Sequence, residues 1–309
     1  MVQRFPITLT QLTYFVECAK TLNMTAASQN LHIAQSAIST AMTQLERALG
    51  TTLFIRERAK GLVLTPAGES FLRDTHRVFG ALSDTLENVR RDQQEIRGQI
   101  TIACFSTLAP FILPQLLSRI QQRHPALSIE VIEGDYEHTL AALRGGRAEL
   151  AVTYSLTDPE GIDRQIVGEA RPYLLLPHDH PLAGQDSIGL AELAEEPFVL
   201  LDLPSSTNYF LGLLQHAGIT PKLKYRSSSY ETVRSLVASG LGYSILNQRP
   251  RIETTYSGAS TAAREIRDRV PGLQIALSRL NQVAETGRAK AVSDLVREIV
   301  QEPHPLSGR

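Results

Sequence analysis

Thr25-Ala-Ala-Ser-Gln-Asn-Leu-His-Ile-Ala-Gln-Ser-Ala-Ile-Ser-Thr-Ala-Met-Thr-Gln-Leu-Glu-Arg-Ala-Leu-Gly50, followed closely by Phe54-Ile-Arg-Glu-Arg-Ala-Lys-Gly-Leu-Val-Leu-Thr65, is the stretch that decides the fold. It reads as a short helix over Thr25–Leu31, a tight turn, and a longer amphipathic helix over Gln35–Leu49. The inward stripe of the longer helix is Ile38, Ala41, Leu45 and Leu49, and Gly50 supplies its stop. A basic hairpin comes next, and Thr65-Pro66 is a good cap and first-turn pair for another helix. Upstream, Thr8-Leu-Thr-Gln11 has capping-box spacing ahead of Leu12, Phe15, Val16, Ala19 and Leu22, which predicts a first helix with one buried face. In that order the elements make a winged helix-turn-helix, a unit that lays a polar helix face in the major groove of DNA.

The outward face of the longer helix carries Gln35, Ser36, Ser39, Thr40, Thr43 and Arg47. A Gln amide donates and accepts at once, which matches adenine N6 and N7; the hydroxyls can bond phosphates or base edges. Thr25, at the start of the short helix, and Thr65, after the hairpin, are further candidates. Arg56, Arg58 and Lys60 in the hairpin are candidates for phosphates or the minor groove, a salt-sensitive contribution.

A formal net charge of −1 over 309 residues looks wrong for a nucleic-acid binder until it is divided. Up to Pro66 the cations are Arg4, Lys20, Arg47, Arg56, Arg58 and Lys60 against Glu17, Glu46 and Glu57, a balance of +3 that leaves −4 for the rest. A small basic head on a neutral or acidic body fits local DNA contact. No apolar run approaches the roughly 18 residues of a membrane span, and Met1–Thr10 lacks a signal-peptide core, so no membrane association and a cytoplasmic location are the expectation. Cys18 and Cys104 have no CxxC or His partner at ligand spacing, so neither a zinc site nor a disulfide framework is expected. Pro177-His-Asp-His-Pro181 reads as a surface turn rather than a metal site. No cofactor is expected.

From Pro66 apolar residues recur at helical spacing through Phe71, Leu72, Val78, Phe79, Leu82, Leu86 and Val89 to about Ile96. Roughly 30 residues make a helix about 45 Å long, too long for so small a head, so its stripe calls for a second copy of the same helix. Gly98 breaks it. Alternating elements follow: strands over Gln99–Cys104, Leu127–Gly134 and Glu149–Tyr154, with helices over Pro110–Arg123 and His138–Gly145. A second cycle has strands over Ala170–Pro177, Phe198–Leu201, Lys222–Arg226 and Gly242–Asn247, with helices over Asn208–Ala217 and Tyr230–Ser239. A strand at Leu273–Leu277 and a helix at Gly287–Val300 close the chain. Strands separated by helices predict parallel sheets, and two successive α/β lobes predict a clamshell whose ligand sits at the strand ends.

The domain reading is therefore a winged helix-turn-helix over 1–66, a linker helix for dimerisation over 67–97, and an effector-binding domain over 98–303. Lobe I takes 98–168 and 272–303, lobe II takes 169–271, and 304–309 is a tail. Hydroxyl-rich helix starts are the effector signal: Ser106 and Thr107 in lobe I, Ser205, Ser206 and Ser228 in lobe II. Helix N-termini expose N–H groups that favour anions. Asp135, Tyr136, Tyr154 and Tyr243 lie near strand ends as further wall candidates. A small anionic organic molecule fits best.

Ala26-Ala27 with Leu31, Gln35-Ser-Ala-Ile-Ser39, Leu45-Glu46, Leu49-Gly50, Leu53-Phe54-Ile-Arg56 and Leu64-Thr65-Pro-Ala-Gly68 together resemble a LysR-type transcriptional regulator. The resemblance continues weakly through Cys104-Phe-Ser-Thr107 and Gly240-Leu-Gly-Tyr-Ser244. It implies an α/β chain with an N-terminal winged helix-turn-helix, a long linker helix and a two-lobed periplasmic-binding-protein-like effector domain. It also implies a dimer of dimers on an interrupted palindrome in double-stranded promoter DNA, a small-molecule inducer in the clamshell, and RNA polymerase as a further partner. Gln35 and Ser39 match the family's base-contacting helix, and Arg56 and Thr65 match its wing and phosphate positions. Two positions depart from the pattern: Ala34 stands where relatives carry a capping Ser, at a cost of about 1 kcal/mol of helix stability, and Thr40 where they often carry Arg. Gly-x-Ser-x-Gly, Gly-x-x-x-x-Gly-Lys and Gly-x-Gly-x-x-Gly are all missing, which disfavours an enzyme. The rival reading is a solute-binding or catalytic clamshell whose head serves dimerisation.

Overall fold

The computed structural model describes residues 5–57, 61–89, 96–281 and 283–302. The chain divides between Gln94 and Glu95 into two compact units, with Arg144–Arg147 grouped in the first.

In the head, α1 (Leu9–Thr21) starts on the expected capping box: the Thr8 hydroxyl accepts from the Gln11 N–H at 3.2 Å, and the Thr8 N–H donates to the Gln11 side chain at 2.8 Å. The second helix, α2 (Met24–Asn30), begins one residue earlier than the sequence suggests. Asn23 is its cap, accepting from the N–H groups of Thr25 and Ala26. α3 (Gln35–Leu49) has the expected bounds; Ala34 gives it no side-chain cap, and Gly50 ends it in the left-handed region. Phe15, Ile38, Leu45 and Leu53 are almost wholly buried between these helices. The Phe15 ring packs on Phe54 and Phe71 at centroid distances of 5.3 and 5.0 Å.

The hairpin pairs β1 (Phe54–Glu57) with β2 (Gly61–Leu64) antiparallel, Phe54 facing Leu64. One carboxylate fixes it to α3: Glu46 Oε1 accepts from the N–H groups of Leu53 and Phe54 at 2.7 and 3.2 Å. The long helix is α4 (Pro66–Val89). Its expected extension to Ile96 crosses 90–95, which lie outside the described residues, as do the side chains at 86 and 89. Val78 and Leu82 on this helix are exposed large hydrophobics.

The larger unit opens with β3 (Gly98–Phe105), α5 (Ala109–Arg123), β4 (Leu127–Gly134), α6 (Tyr136–Arg144) and β5 (Leu150–Tyr154), close to the predicted alternation. It continues through β6 (Ile162–Ala170), β7 (Tyr173–Pro177), β8 (Ser187–Ile188), β9 (Pro197–Leu201), α7 (Thr207–His216), β10 (Lys222–Ser227), α8 (Tyr230–Ala238), β11 (Ser244–Leu246), β12 (Thr261–Ile266), β13 (Leu273–Leu280) and α9 (Gly287–Gln301). The lobe I sheet runs β4-β3-β5-β13-β6, and the lobe II sheet β11-β7-β12-β8, with β9 and β10 a parallel pair beside it.

The expectation of parallel sheets needs correction. β3 is parallel to β4 and β5, but β13 runs antiparallel to both β5 and β6, and β11 and β12 run antiparallel to β7. The chain leaves the first sheet after β6 and returns to it as β13, so the returning strand enters between β5 and β6 in the opposite sense. Three strands escaped the sequence reading: β6 except for its last residue, the two-residue β8, and β12. β6 carries exposed polar residues at an edge, and β12 is built from Thr-Ala-Ala-Arg-Glu-Ile, which has little β-propensity of its own. The expected strand over Ala170–Pro177 is two elements, because Pro172 can donate nothing to a ladder.

Gly242 and Gly212 make a contrast. Gly242 has φ +141, and a Cβ there would lie 2.2 Å from the Pro197 carbonyl, where β9 meets the Tyr243 bridge. Gly212 sits mid-helix in α7 with open space around it. Gly242→Ala should lower stability by about 1–3 kcal/mol, whereas Gly212→Ala should raise it by up to about 1 kcal/mol; urea midpoints of the full chain check both. Burial pushes the thiols of Cys18 and Cys104 up, to about 11 and about 12. Both cysteines are free and buried. Iodoacetamide at pH 8 should therefore label neither in the native protein and both after denaturation, as read by mass spectrometry.

Candidate nucleic-acid interface and ligand cavity

In the head, Thr25, Gln35, Ser36, Thr40 and Thr43 are exposed and Ser39 is half-buried. The Thr43 hydroxyl donates back to the Ser39 carbonyl at 2.9 Å, which leaves its lone pairs facing outward. No side chain caps α3, although the Ala37 N–H bonds the Ala34 carbonyl at 3.0 Å, and the positive end of the helix dipole there suits an anion such as a duplex phosphate. Arg56 is placed on β1 opposite Leu62, though its side chain lies outside the described residues, as do Arg58 and Lys60 entirely. Thr65 is occupied within the protein. Its hydroxyl donates to the Thr52 carbonyl at 2.7 Å and accepts from the Gly68 N–H at 2.9 Å, capping α4. The Thr65 N–H is also committed, donating to the Leu53 carbonyl at 3.0 Å, so both of its donors are used inside the head.

In the larger unit a small cavity of about 10 Å³ lies between the lobes, close to the space that one water needs. Lobe I contributes Phe105, Thr107, Tyr154 and Leu273. Lobe II contributes Leu201, Leu203, Ser206, Phe210, Tyr230, Asn247 and Gln248. None of these carries a formal charge. Burial pushes the Tyr154 phenol up to about 12, partly offset by hydrogen bonds with Thr107 and Gln248, and burial also raises Tyr230 well above the ordinary phenol value. The wall is neutral at physiological pH.

Three of the nine sequence-derived effector candidates line this cavity: Thr107, Tyr154 and Ser206. The other six have different surroundings. Ser106 is adjacent, its N–H bonded to the Gly134 carbonyl at 2.8 Å. Asp135 caps α6 by accepting from the His138 N–H at 2.8 Å. Tyr136 is buried, with its hydroxyl 3.0 Å from that of Thr157. Ser205 is exposed in the left-handed region, 3.4 Å from a Glu137 carboxylate oxygen, and Ser228 is exposed ahead of α8. Tyr243 is fully buried against Phe198, 5.1 Å between centroids. His180 of the Pro-flanked turn is also committed: one ring nitrogen is 2.8 Å from Glu196, and the other accepts from the Leu182 N–H.

The sequence reading missed Asn247, Gln248, Tyr230 and the apolar ring. Asn247-Gln248 directly follows β11, so the rule that ligands gather at strand ends points to it. Attention to hydroxyl-rich helix starts passed over that amide pair.

Polar atoms around the cavity form two groups. Thr107 Oγ1 donates to the Tyr154 hydroxyl at 3.5 Å, and the hydroxyls of Tyr173 and Tyr230 both donate to the Gln248 carbonyl. By contrast Ser206 Oγ and Asn247 Oδ1 are buried and have no partner among the described residues.

Comparison with known proteins agrees with both units. Residues 9–69 match the family described as bacterial regulatory helix-turn-helix protein, lysR family, and residues 93–301 match the LysR substrate binding domain. The HTH-type transcriptional regulator CatR of Pseudomonas putida is 34% identical over 241 residues, covering 77% of this chain and 82% of its own length. The uncharacterized regulator YnfL of Escherichia coli is 31% identical over 245 residues, covering 78% and 82%. Among solved structures, the LysR-family regulator HinK of Pseudomonas aeruginosa is 34% identical with a TM-score of 0.66, over 95% of this chain and 98% of that one. A DNA-reading head and a ligand-binding α/β unit in one polypeptide are the two parts of a ligand-responsive transcriptional regulator, and this chain belongs to the LysR family of such regulators.

Proposed function

We propose that this regulator binds an interrupted palindrome in promoter DNA through α3 and the hairpin, and that a small organic anion bound between the lobes sets its activity. The observation that carries the DNA half is the exposed polar face of α3, uncapped at its N-terminus and held to the hairpin by Glu46. Gln35, Ser36, Ser39, Thr40 and Thr43 act on base edges and phosphates, with Thr25, Arg56, Arg58 and Lys60 along the backbone, while Thr65 caps α4. The exposed Val78 and Leu82 on α4 support pairing with a second copy of that helix, and a dimer of dimers follows from two such contacts on a divided site. RNA polymerase is the downstream partner. The chain is no enzyme in this reading, and its place is the cytoplasm with its DNA.

For the ligand half, the support is the cavity between lobes, where Thr107 stands just ahead of α5 and Ser206 at the start of α7. Most first-turn N–H groups of α5 and α7 are bonded within the chain, so two helix N-termini with a neutral wall favour an anion chiefly through their dipoles rather than through a cationic side chain. Binding transmits a signal by favouring one arrangement of the lobes over another; equal affinity for both shifts nothing.

Gln35→Ala should weaken operator binding and relax sequence preference, whereas Arg56→Ala should weaken binding to all duplexes alike and lower the salt slope by about 0.9. Fluorescence anisotropy with the genomic fragment the protein retrieves, across a salt series, separates the two. If both variants bind that fragment as the parent does while dimerisation persists, the head is a dimeriser and the solute-binding clamshell is the better account. Ser206→Ala and Thr107→Val should leave operator affinity intact and reduce the response of the footprint to the inducing metabolite fraction. An unchanged response would remove the cavity from the mechanism.

A further inference from the structure

Asn247 stands at the junction between the cavity and both chain crossings that join the lobes. Its Nδ2 donates to the Ala170 carbonyl at 2.9 Å and to the Tyr209 hydroxyl at 3.0 Å. Tyr209 in turn donates to the Pro271 carbonyl at 2.9 Å. Ala170 is the last residue of β6, just before the chain crosses into lobe II; Pro271 lies on the return crossing, just before β13.

This network fixes the amide's orientation. The Ala170 carbonyl can only accept, and the Tyr209 proton is spent on Pro271, so both neighbours require the NH₂ of Asn247. The Oδ1 is thereby left as an acceptor with no donor role available. It is buried without a partner among the described residues, and Asn247 is one of the residues that line the cavity. A buried acceptor left without a donor carries the full cost of its desolvation, so a molecule that brings a donor is rewarded and one that does not is penalised. The other unpartnered wall atom, Ser206 Oγ, can donate or accept and so does not select between the two.

We propose that Asn247 is the specificity-determining residue of the effector site and the link from that site to the hinge. The effector is a small molecule with an apolar body, set among Phe105, Phe210 and Leu273, and a hydroxyl or N–H that donates to Asn247 Oδ1. Holding that oxygen stiffens the amide, and with it the bonds to Ala170 and, through Tyr209, to Pro271. Both crossings are then gripped from one point. The inference rests on the cavity being the effector site, as argued above, and it adds the chemistry that site demands.

Matched probes test it on the full-length protein: phenol against toluene, and cyclohexanol against methylcyclohexane, with affinities from ligand-observed NMR. The hydroxyl member of each pair should bind at least about tenfold tighter. Asn247→Leu should abolish that preference while keeping the hydrocarbon's affinity. Hydrogen exchange provides an arm that survives if Asn247→Leu fails to fold. Phenol should slow exchange in both 168–173 and 267–273 in the parent protein; in Tyr209→Phe it should slow the first segment and not the second. If hydroxyl and hydrocarbon members bind equally well, the assignment of Asn247 is overturned while the cavity reading stands. If no member of either pair binds, the assignment of Asn247 is likewise overturned, and if benzoate also fails to bind, the cavity reading falls with it. Equal protection of both segments in Tyr209→Phe would overturn the link to the hinge.

Discussion

Two chain crossings join the lobes of the larger unit, one after Ala170 and one before Leu273, and the behaviour of the ligand site depends on that constraint. Two nearly adjacent covalent links permit rotation about the line through them and resist most other motions. The antiparallel return of β13 between β5 and β6 is what brings the second crossing back beside the first. Had the lobes been two independent parallel sheets in tandem, a single linker would connect them, and a ligand between them would have no fixed axis to work against. The cavity lies beside both crossings, where a small change in contacts has the greatest leverage over the angle between the sheets. Its closeness in volume to a single water means that admission of an organic molecule requires the lobes to part first.

In the head the equivalent constraint is one carboxylate. Glu46 sits near the C-terminal end of α3, and its Oε1 holds the two N–H groups at the start of the hairpin. A charged acceptor serving two backbone donors is stronger than a neutral bond, and it prevents the hairpin from tilting independently of α3. A helix in one groove and a hairpin on the neighbouring backbone must keep a set distance and angle. Hydrophobic packing of Phe15, Phe54 and Phe71 supplies the cohesion, but packing alone is tolerant of small rotations. The hydrogen-bonded carboxylate removes that tolerance.

Much of this architecture was legible in the sequence, and the divisions between what was and was not have physical causes. α1 and α3 were legible because local signals sufficed: a capping box at Thr8, a periodic stripe through Ile38 and Leu45, and a left-handed Gly50. The start of α2 was displaced by one residue because Asn23, not a hydroxyl residue, is its cap. β6 and β12 were illegible because their pairing comes from strands far away in the chain, and an Ala-Ala-Arg-Glu run says nothing local about a ladder. The same distinction runs through the candidate sites. Thr107, Tyr154 and Ser206 could be nominated because helix starts and strand ends are local features. Asn247 also follows a strand end, after β11, but attention to hydroxyl-rich helix starts passed over it, and its bonds to Ala170 and Tyr209, and through Tyr209 to Pro271, reach residues far from it in sequence.

The neutral wall also bears on which molecules the site can admit. A cavity built around Arg or Lys would bind any small anion strongly in water and discriminate poorly, since a point charge rewards charge before shape. If the effector is an anion, as proposed, its recognition falls to helix N-termini, whose partial charges act over about one turn, while the phenols of Tyr154 and Tyr230 remain protonated well above physiological pH. Attraction from a distance is weak, and affinity has to come from fit against the apolar ring and from satisfying the two open polar atoms. Such a site gives up association rate for selectivity. For a regulator that selectivity has a clear value: the abundant phosphates and carboxylates of the cell lack the apolar body, so they gain too little to hold the lobes in the ligand-bound arrangement. A charge introduced by replacing Ser206 or Asn247 with a cation would reverse the balance, drawing in common anions and uncoupling the hinge from the molecule that the rest of the wall is shaped to receive.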